Sequence, residues 1–245
     1  MLRAVIIAAA LLAGPVWAGP QNDREILSAT YADPTGRYAH GVLGDAVEWG
    51  TLTLYVDTCP ACARIKTANI TITLPDTHVF EDIAPRLADV DNDGAPEVIV
   101  VETNMSKGAA LAIYDETGKV AQTPYIGRSN RWLAPLGAAD LDGDGKVELA
   151  YIDRPHLART LRVWRFDNGR LVHVADKKGL TNHRIGEDFI SGGIRDCNGK
   201  PEMVTVNSDW SRIMVTELSG KTLTTRDAGP FKSKRNLENA MKCRN

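Results

Sequence analysis

The chain has no surplus of charge of either sign. Its 245 residues hold 29 Lys plus Arg against 31 Asp plus Glu, a formal net charge of −2. That excludes a nucleic-acid binder driven by bulk positive charge and gives no attraction to anionic membrane surfaces. Long apolar runs are missing after the first 18 residues, so no later segment reaches the ~20 residues a spanning helix needs. Aromatics make up only 6%, whereas Gly (21) and Pro (12) are plentiful, which predicts many turns and no long helices. HExxH, GxSxG, GxGxxG and P-loop strings do not occur, and the chemistries that rest on them lose their support. What remains, 43% hydrophobic and 24% charged, is the balance of a soluble globular chain of one or two domains.

Residues 1–18, MLRAVIIAAALLAGPVWA, have one basic residue (Arg3), an apolar run over 4–13, a Gly14-Pro15 break and small residues at Val16 and Ala18. This is the pattern of a secretory signal peptide cleaved after Ala18, too short for a membrane anchor. The expected mature chain, 19–245, is a single exported domain, periplasmic or secreted, with a short tail over about 229–245. Export lets disulfides persist. The four cysteines allow three pairings. Cys59–Cys62, within CPAC, is favoured as a local loop bridge, and Cys197–Cys243 as a staple for the tail.

The chain repeats itself. RLADVDNDGAPEVIVVE (Arg86 to Glu102) aligns with GAADLDGDGKVELAYID (Gly137 to Asp153). Weaker copies are GGIRDCNGKPEMVTVNS (Gly192 to Ser208) and HGVLGDAVEWGTLTLYV (His40 to Val56). Their matching acids, Glu48, Glu97, Glu148 and Glu202, are 49, 51 and 54 residues apart. Each unit divides into short strand-like pieces joined by turn signals such as Asn168-Gly169 and Ser219-Gly220. About four short antiparallel strands per unit is the make-up of a propeller blade. The expected fold is therefore all-β, a β-propeller of four or five blades built from repeats of ~50 residues. The piece Glu25 to Tyr31 is expected as an extra outer strand that completes the last blade.

DVDNDGAPE and DLDGDGKVE place three carboxylates on alternate residues. These repel one another unless a cation sits among them. Calcium accepts six to eight oxygens, and Gly at the sixth position permits the sharp turn. The expected ligands are Asp89, Asp91, Asp93 and Glu97 with the Ala95 carbonyl, then Asp140, Asp142, Asp144 and Glu148 with the Lys146 carbonyl. An EF-hand is excluded, because its twelfth position holds Val100 or Tyr151 and its flanks read as strands. The first and fourth units keep too few acids (Asp45 and Glu48; Asp196, Asn198 and Glu202) and are expected to be metal-free, with Cys197 as the local staple in the fourth.

D-x-D-x-D-G-x-x-E between strands, repeated near fifty residues, resembles the FG-GAP/VCBS repeat family, whose repeats are similar to the blades of the integrin alpha-chain propeller. The resemblance is strong over Arg86 to Asp153. It implies a β-propeller, calcium in the acidic loops, and a binding or adhesion role toward a protein or carbohydrate partner.

Other features have two readings each. Cys59 and Cys62 follow a strand-like LTLYVD, as in a thiol oxidoreductase, but an alternating strand follows at once where a helix should begin. Ahead of the units lie Gly36-Arg37, Glu81-Asp82, Asn130-Arg131 and Glu187-Asp188. They form either an inter-blade salt-bridge ring or a polar site at the channel mouth, with His40, His78 and above all His183 nearby. In the second case Glu81, Asp82, Arg131, Glu187 and Asp188 would serve a hydrolase or lyase. Trp132, Trp164 and Trp210 read as blade-packing residues. The basic run Lys232 to Arg235 reads as a solvated patch. The leading expectation is an exported, calcium-stabilised binding module without catalysis of its own.

Overall fold

A computed structural model describes residues 24–244. The signal peptide read over 1–18 lies outside the described residues. The architecture is all-β and of the propeller type, built from successive antiparallel meanders.

The first meander is β1 (Glu25–Thr35), β2 (Glu48–Asp57) and β3 (Thr67–Thr73), with β2 in the middle. The second begins with a split inner strand, β4 (His78–Phe80) and β5 (Arg86–Ala88). Both pieces pair with β6 (Glu97–Asn104), which is followed by β7 (Gly108–Asp115) and β8 (Gly118–Gln122). A single bridge, Trp49 to Phe80, joins these two meanders into one sheet. The third is β9 (Leu133–Ala139), β10 (Glu148–Asp153), β11 (Thr160–Phe166) and β12 (Leu171–Lys178). The fourth again splits its inner strand, into β13 (Leu180–Thr181) and β14 (Gly193–Asp196), before β15 (Pro201–Asn207), β16 (Arg212–Ser219) and β17 (Thr222–Pro230). The repeated glutamates open the second strand of each unit: Glu48, Glu97 and Glu148 at its first residue, Glu202 at its second.

Alternation along each strand gives two apolar faces, and these bury one another. Leu52, Leu54 and Val56 pack on Val98, Val100 and Ala112 between the first and second units. Ile99, Val101, Leu111 and Ile113 meet Trp132, Leu133, Leu149 and Tyr151 between the second and third. Ile152, Leu161 and Val163 meet Met203 and Leu218 between the third and fourth. The first and fourth units touch through loops, where Gly186 N–H donates to the Val42 carbonyl at 3.2 Å. A Cβ on Gly44 would come 2.8 Å from the Gly186 carbonyl oxygen, and Gly44 has φ +91°, so this crossing demands glycine.

One expectation changes. The strand beginning at Glu25 does not complete the last blade. It runs to Thr35 and pairs with β2 of its own unit, while β17 closes the fourth unit unaided. A hairpin-like local partner closes a short loop, which costs less entropy than reaching the far end of the chain. The basic run Lys232 to Arg235 is exposed, as expected, and the tail beyond it is ordered: Lys234–Met241 form helix α1. Leu237 and Ala240 of this helix bury against Val204, Val206, Ile213 and Val215, on the face of the fourth sheet away from the third. The Cys197–Cys243 disulfide ties its end down, and Cys59–Cys62 closes the loop between β2 and β3.

Candidate functional site

The two acidic loops lie between the first and second strands of the second and third units. In each, the repeated glutamate holds the loop from inside. Glu97 Oε2 accepts the Val90 N–H and Glu148 Oε2 accepts the Leu141 N–H, both at 2.8 Å. The first aspartates fold the turns: Asp89 accepts Gly94 N–H at 3.0 Å and Asp140 accepts Gly145 N–H at 2.9 Å. The loops also touch, Asn92 Nδ2 donating to the Gly145 carbonyl at 3.0 Å. Oxygens of Asp89, Asp91 and Glu97 lie within 4.8 Å of one another, as do those of Asp140, Asp142 and Glu148. Asp93 and Asp144 stand outside these groups and accept the N–H of Ala95 and Lys146 at 2.8 and 2.9 Å.

The repeats differ in what balances these charges. In the third unit Arg165 reaches Asp142 (2.6 Å), Asp144 (2.8 Å) and Glu148 (2.5 Å). In the fourth, Glu202 is held by Arg195 (2.7 Å) and Arg226 (2.5 Å), which pull its carboxyl below the usual range despite burial. Those arginines balance the glutamate, while Cys197, bridged to Cys243, staples the same loop. In the second unit no Lys, Arg or His of the described residues pairs with Asp89, Asp91 or Glu97. Asp89 Oδ1 is buried with no hydrogen-bond partner. Burial, then the charges of Asp91, Asp93 and Asp89, push Glu97 up to about 7. Burial likewise raises Asp91. This donor set, carboxylate oxygens within 4.8 Å of one another in one turn, fits a hard divalent cation.

The charged pairs expected at the channel mouth do not join into one ring. Arg37 donates to the His78 carbonyl at 2.6 and 3.1 Å and approaches Asp76 at 3.8 Å. Asp82 is buried against Arg86 at 2.5 Å. Arg131 donates to the Asn130 carbonyl at 2.7 Å. Glu187 turns back on its own loop to accept the Arg184 N–H at 3.2 Å, and Asp188 is exposed. Glu81 is fully buried, pairs with His40 Nδ1 and accepts from Thr103 Oγ1 at 2.5 Å.

Three of these residues nevertheless meet. A cavity of about 400 Å³ is lined by His40, Asn130, Arg131, Trp132, Arg154 and His156, with an apolar rim. His183 forms its second layer. The His183 ring nitrogens face the Glu187 carbonyl (2.9 Å) and His156 Nε2 (3.0 Å), and its ring meets Trp132 edge-on at 4.9 Å. A carbonyl only accepts, so His183 Nε2 carries the proton and its Nδ1 accepts from His156 Nε2–H. Burial of both rings favours the neutral forms that this arrangement uses. Burial and the neighbouring His183 and His40 rings push His156 down to about 4, and burial also lowers His183. Sequence reasoning missed His156 and Arg154. They sit in the turn that follows β10, with no periodicity to mark them.

At CPAC, Cys59 is bridged and half-buried, and β3 follows without a helix. Thiolate activation at a helix N-terminus has no structural basis there. No helix among the described residues is long and apolar enough to cross a membrane.

Residues 89–151 match the model of the FG-GAP-like repeat. The resemblance carried by the two acidic loops holds over that span. Among solved structures, the chain is similar to the crystal structure of the exotype rhamnogalacturonan lyase YesX, at 17% identity and TM-score 0.42. The match covers 84% of this chain and 48% of that one, so the chain spans about half the length of that structure. No curated protein matches it significantly in sequence.

Proposed function

We propose, starting from the FG-GAP-like repeat over 89–151, that this is an exported propeller-type module in which calcium orders the acidic loop of the second unit, Arg165 standing in for it in the third, and the molecule binds a protein or carbohydrate partner. The observation that carries the reading is the uneven charge balance of the repeats. Arginines neutralise the buried glutamates of the third and fourth units, whereas the Asp89, Asp91 and Glu97 oxygens converge with an orphaned buried atom among them. A divalent ion held there supplies the absent positive charge and locks the loop. The two disulfides agree with export.

A hydrolase or lyase built on Glu81 and Asp82 is less well supported. Both are sealed from solvent and engaged with His40, Thr103 and Arg86. A substrate would meet His40, not the carboxyls.

Thermal unfolding with calcium and with chelator tests the reading. At calcium a hundred times its Kd, native-state binding adds ~2.7 kcal/mol and raises the midpoint on the order of 5–10 °C for a chain of this size. The rise should vanish in Asp89→Asn/Glu97→Gln. A midpoint indifferent to calcium in the unaltered protein would overturn it.

A further inference from the structure

The cavity at the opposite end of the blades from the acidic loops has its own chemistry. β9 runs from Trp132, in the cavity wall, to Asp140 in the acidic loop, and β10 returns from Glu148 to Arg154. A seven-residue strand separates the two places by about 20 Å. The cavity therefore does not depend on the calcium reading.

Its lining contains no carboxylate. Of the groups that could carry positive charge, three are already accounted for. Arg154 is held in a fork by Asp153 at 2.7 and 2.9 Å. His40 spends Nδ1 on the buried Glu81. His156 is kept neutral by burial and bonds through His183 to the Glu187 carbonyl. Arg131 is the exception. Its guanidinium makes one hydrogen bond, to the neighbouring Asn130 carbonyl, and no ion pair among the described residues. A guanidinium beside apolar walls is strongly field-focusing and matches a carboxylate bidentately.

The rest of the wall is apolar. Val42, Trp132 and Pro155 line it. At its mouth Leu157 and Ile185, 64% and 72% exposed, project from two different loops. An aliphatic body held between these two lips would cover apolar surface that otherwise faces water. The volume suits a small molecule and is too confined for a folded partner to enter.

We infer that this cavity binds a small organic monocarboxylate with an aliphatic body: the carboxylate pairs with Arg131, and the body lies against Val42, Pro155, Leu157 and Ile185. One uncompensated cation favours one negative charge, so phosphate monoesters, which bring about two charges near pH 7, fit less well.

The test uses hexanoate and N-acetyl-leucinate as probes, with hexanamide as the uncharged control, on the full chain with calcium present. Ring proton resonances of His40 and His156 report binding. Both acids should give saturable shifts. Hexanamide should bind about ten- to a hundredfold more weakly, the range for losing a charged hydrogen-bonded pair. Arg131→Gln should lose affinity for the acids by the same factor and keep its thermal midpoint, since the Arg131 carbonyl that accepts Ala109 N–H is untouched. No saturable shift with either acid, equal binding of the amide, or unchanged affinity in Arg131→Gln would each overturn the assignment. None of these outcomes bears on calcium, which is read separately from the unfolding midpoint.

Discussion

One residue type, the glutamate that opens the second strand of each unit, meets three different electrostatic fates. Glu202 and Glu148 have arginines, and Glu97 faces other carboxylates. Glu48 is 3% exposed and is pushed up to about 9 by burial and by Glu81, Asp45 and Asp82. Its folded value lies above its ordinary one, so the native state holds this proton more tightly than the unfolded chain. The resulting stability is full below pH ~4.5 and is lost as pH rises toward ~9. Glu48→Gln should therefore raise the unfolding free energy at pH 8 by a few kcal/mol, ~1.4 kcal/mol for each pH step above the ordinary carboxyl value, and flatten its decline above pH ~5. Equal pH slopes in variant and parent would contradict this. Arg165→Gln removes the cation shared by Asp142, Asp144 and Glu148. It should destabilise the metal-free protein by ~3–5 kcal/mol, the cost of stripping one partner from a buried pair, and calcium should restore most of the loss in thermal unfolding. The acidic spacing was legible in the sequence because ligands within one loop are neighbours in the chain. The arginines were not, because Arg165 reaches Glu148 only through the β10–β11 register, 17 residues on.

At the scale of elements, strand pieces such as Thr160–Phe166 and Leu133–Ala139 were legible from alternation and turn residues. The split inner strands were not, since nothing in the alternation marks where the segments 81–85 and 182–192 leave the ladder. Helix α1 left a faint signal: Leu237, Ala240 and Met241 stand at i, i+3 and i+4 within a polar, basic run. It is too short to be stable alone and owes its existence to the sheet beneath it. Leu237→Ala should cost ~2–4 kcal/mol by leaving a cavity against Val204 and Val215. Reducing Cys197–Cys243 should cost a further ~2–4 kcal/mol. Native-state hydrogen exchange should then show α1 amides opening well before those of β15. Matched protection in oxidised and reduced protein would contradict this.

For the whole molecule, the acidic loops and the cavity lie at opposite ends of the β9–β10 pair. Sites this far apart with no shared side chains should behave additively. Removing calcium should lower the unfolding midpoint yet leave hexanoate affinity within about twofold, measured by the same histidine resonances at a temperature where both forms are folded. A larger change would mean that the loops and the cavity are coupled through the β9–β10 pair. The propeller class was legible from the fifty-residue period. How the end of the stack is finished was not, because a cover placed after the sheet follows no repeat. That cover has a consequence for biosynthesis. The Val204, Val206, Ile213 and Val215 surface is complete once β16 exists, but Leu237 and Ala240 cover it only when the chain has grown through helix α1. Fragments halted in that interval would carry a bare oily plane able to pair with its like, so correct length acts as a safeguard against clumping.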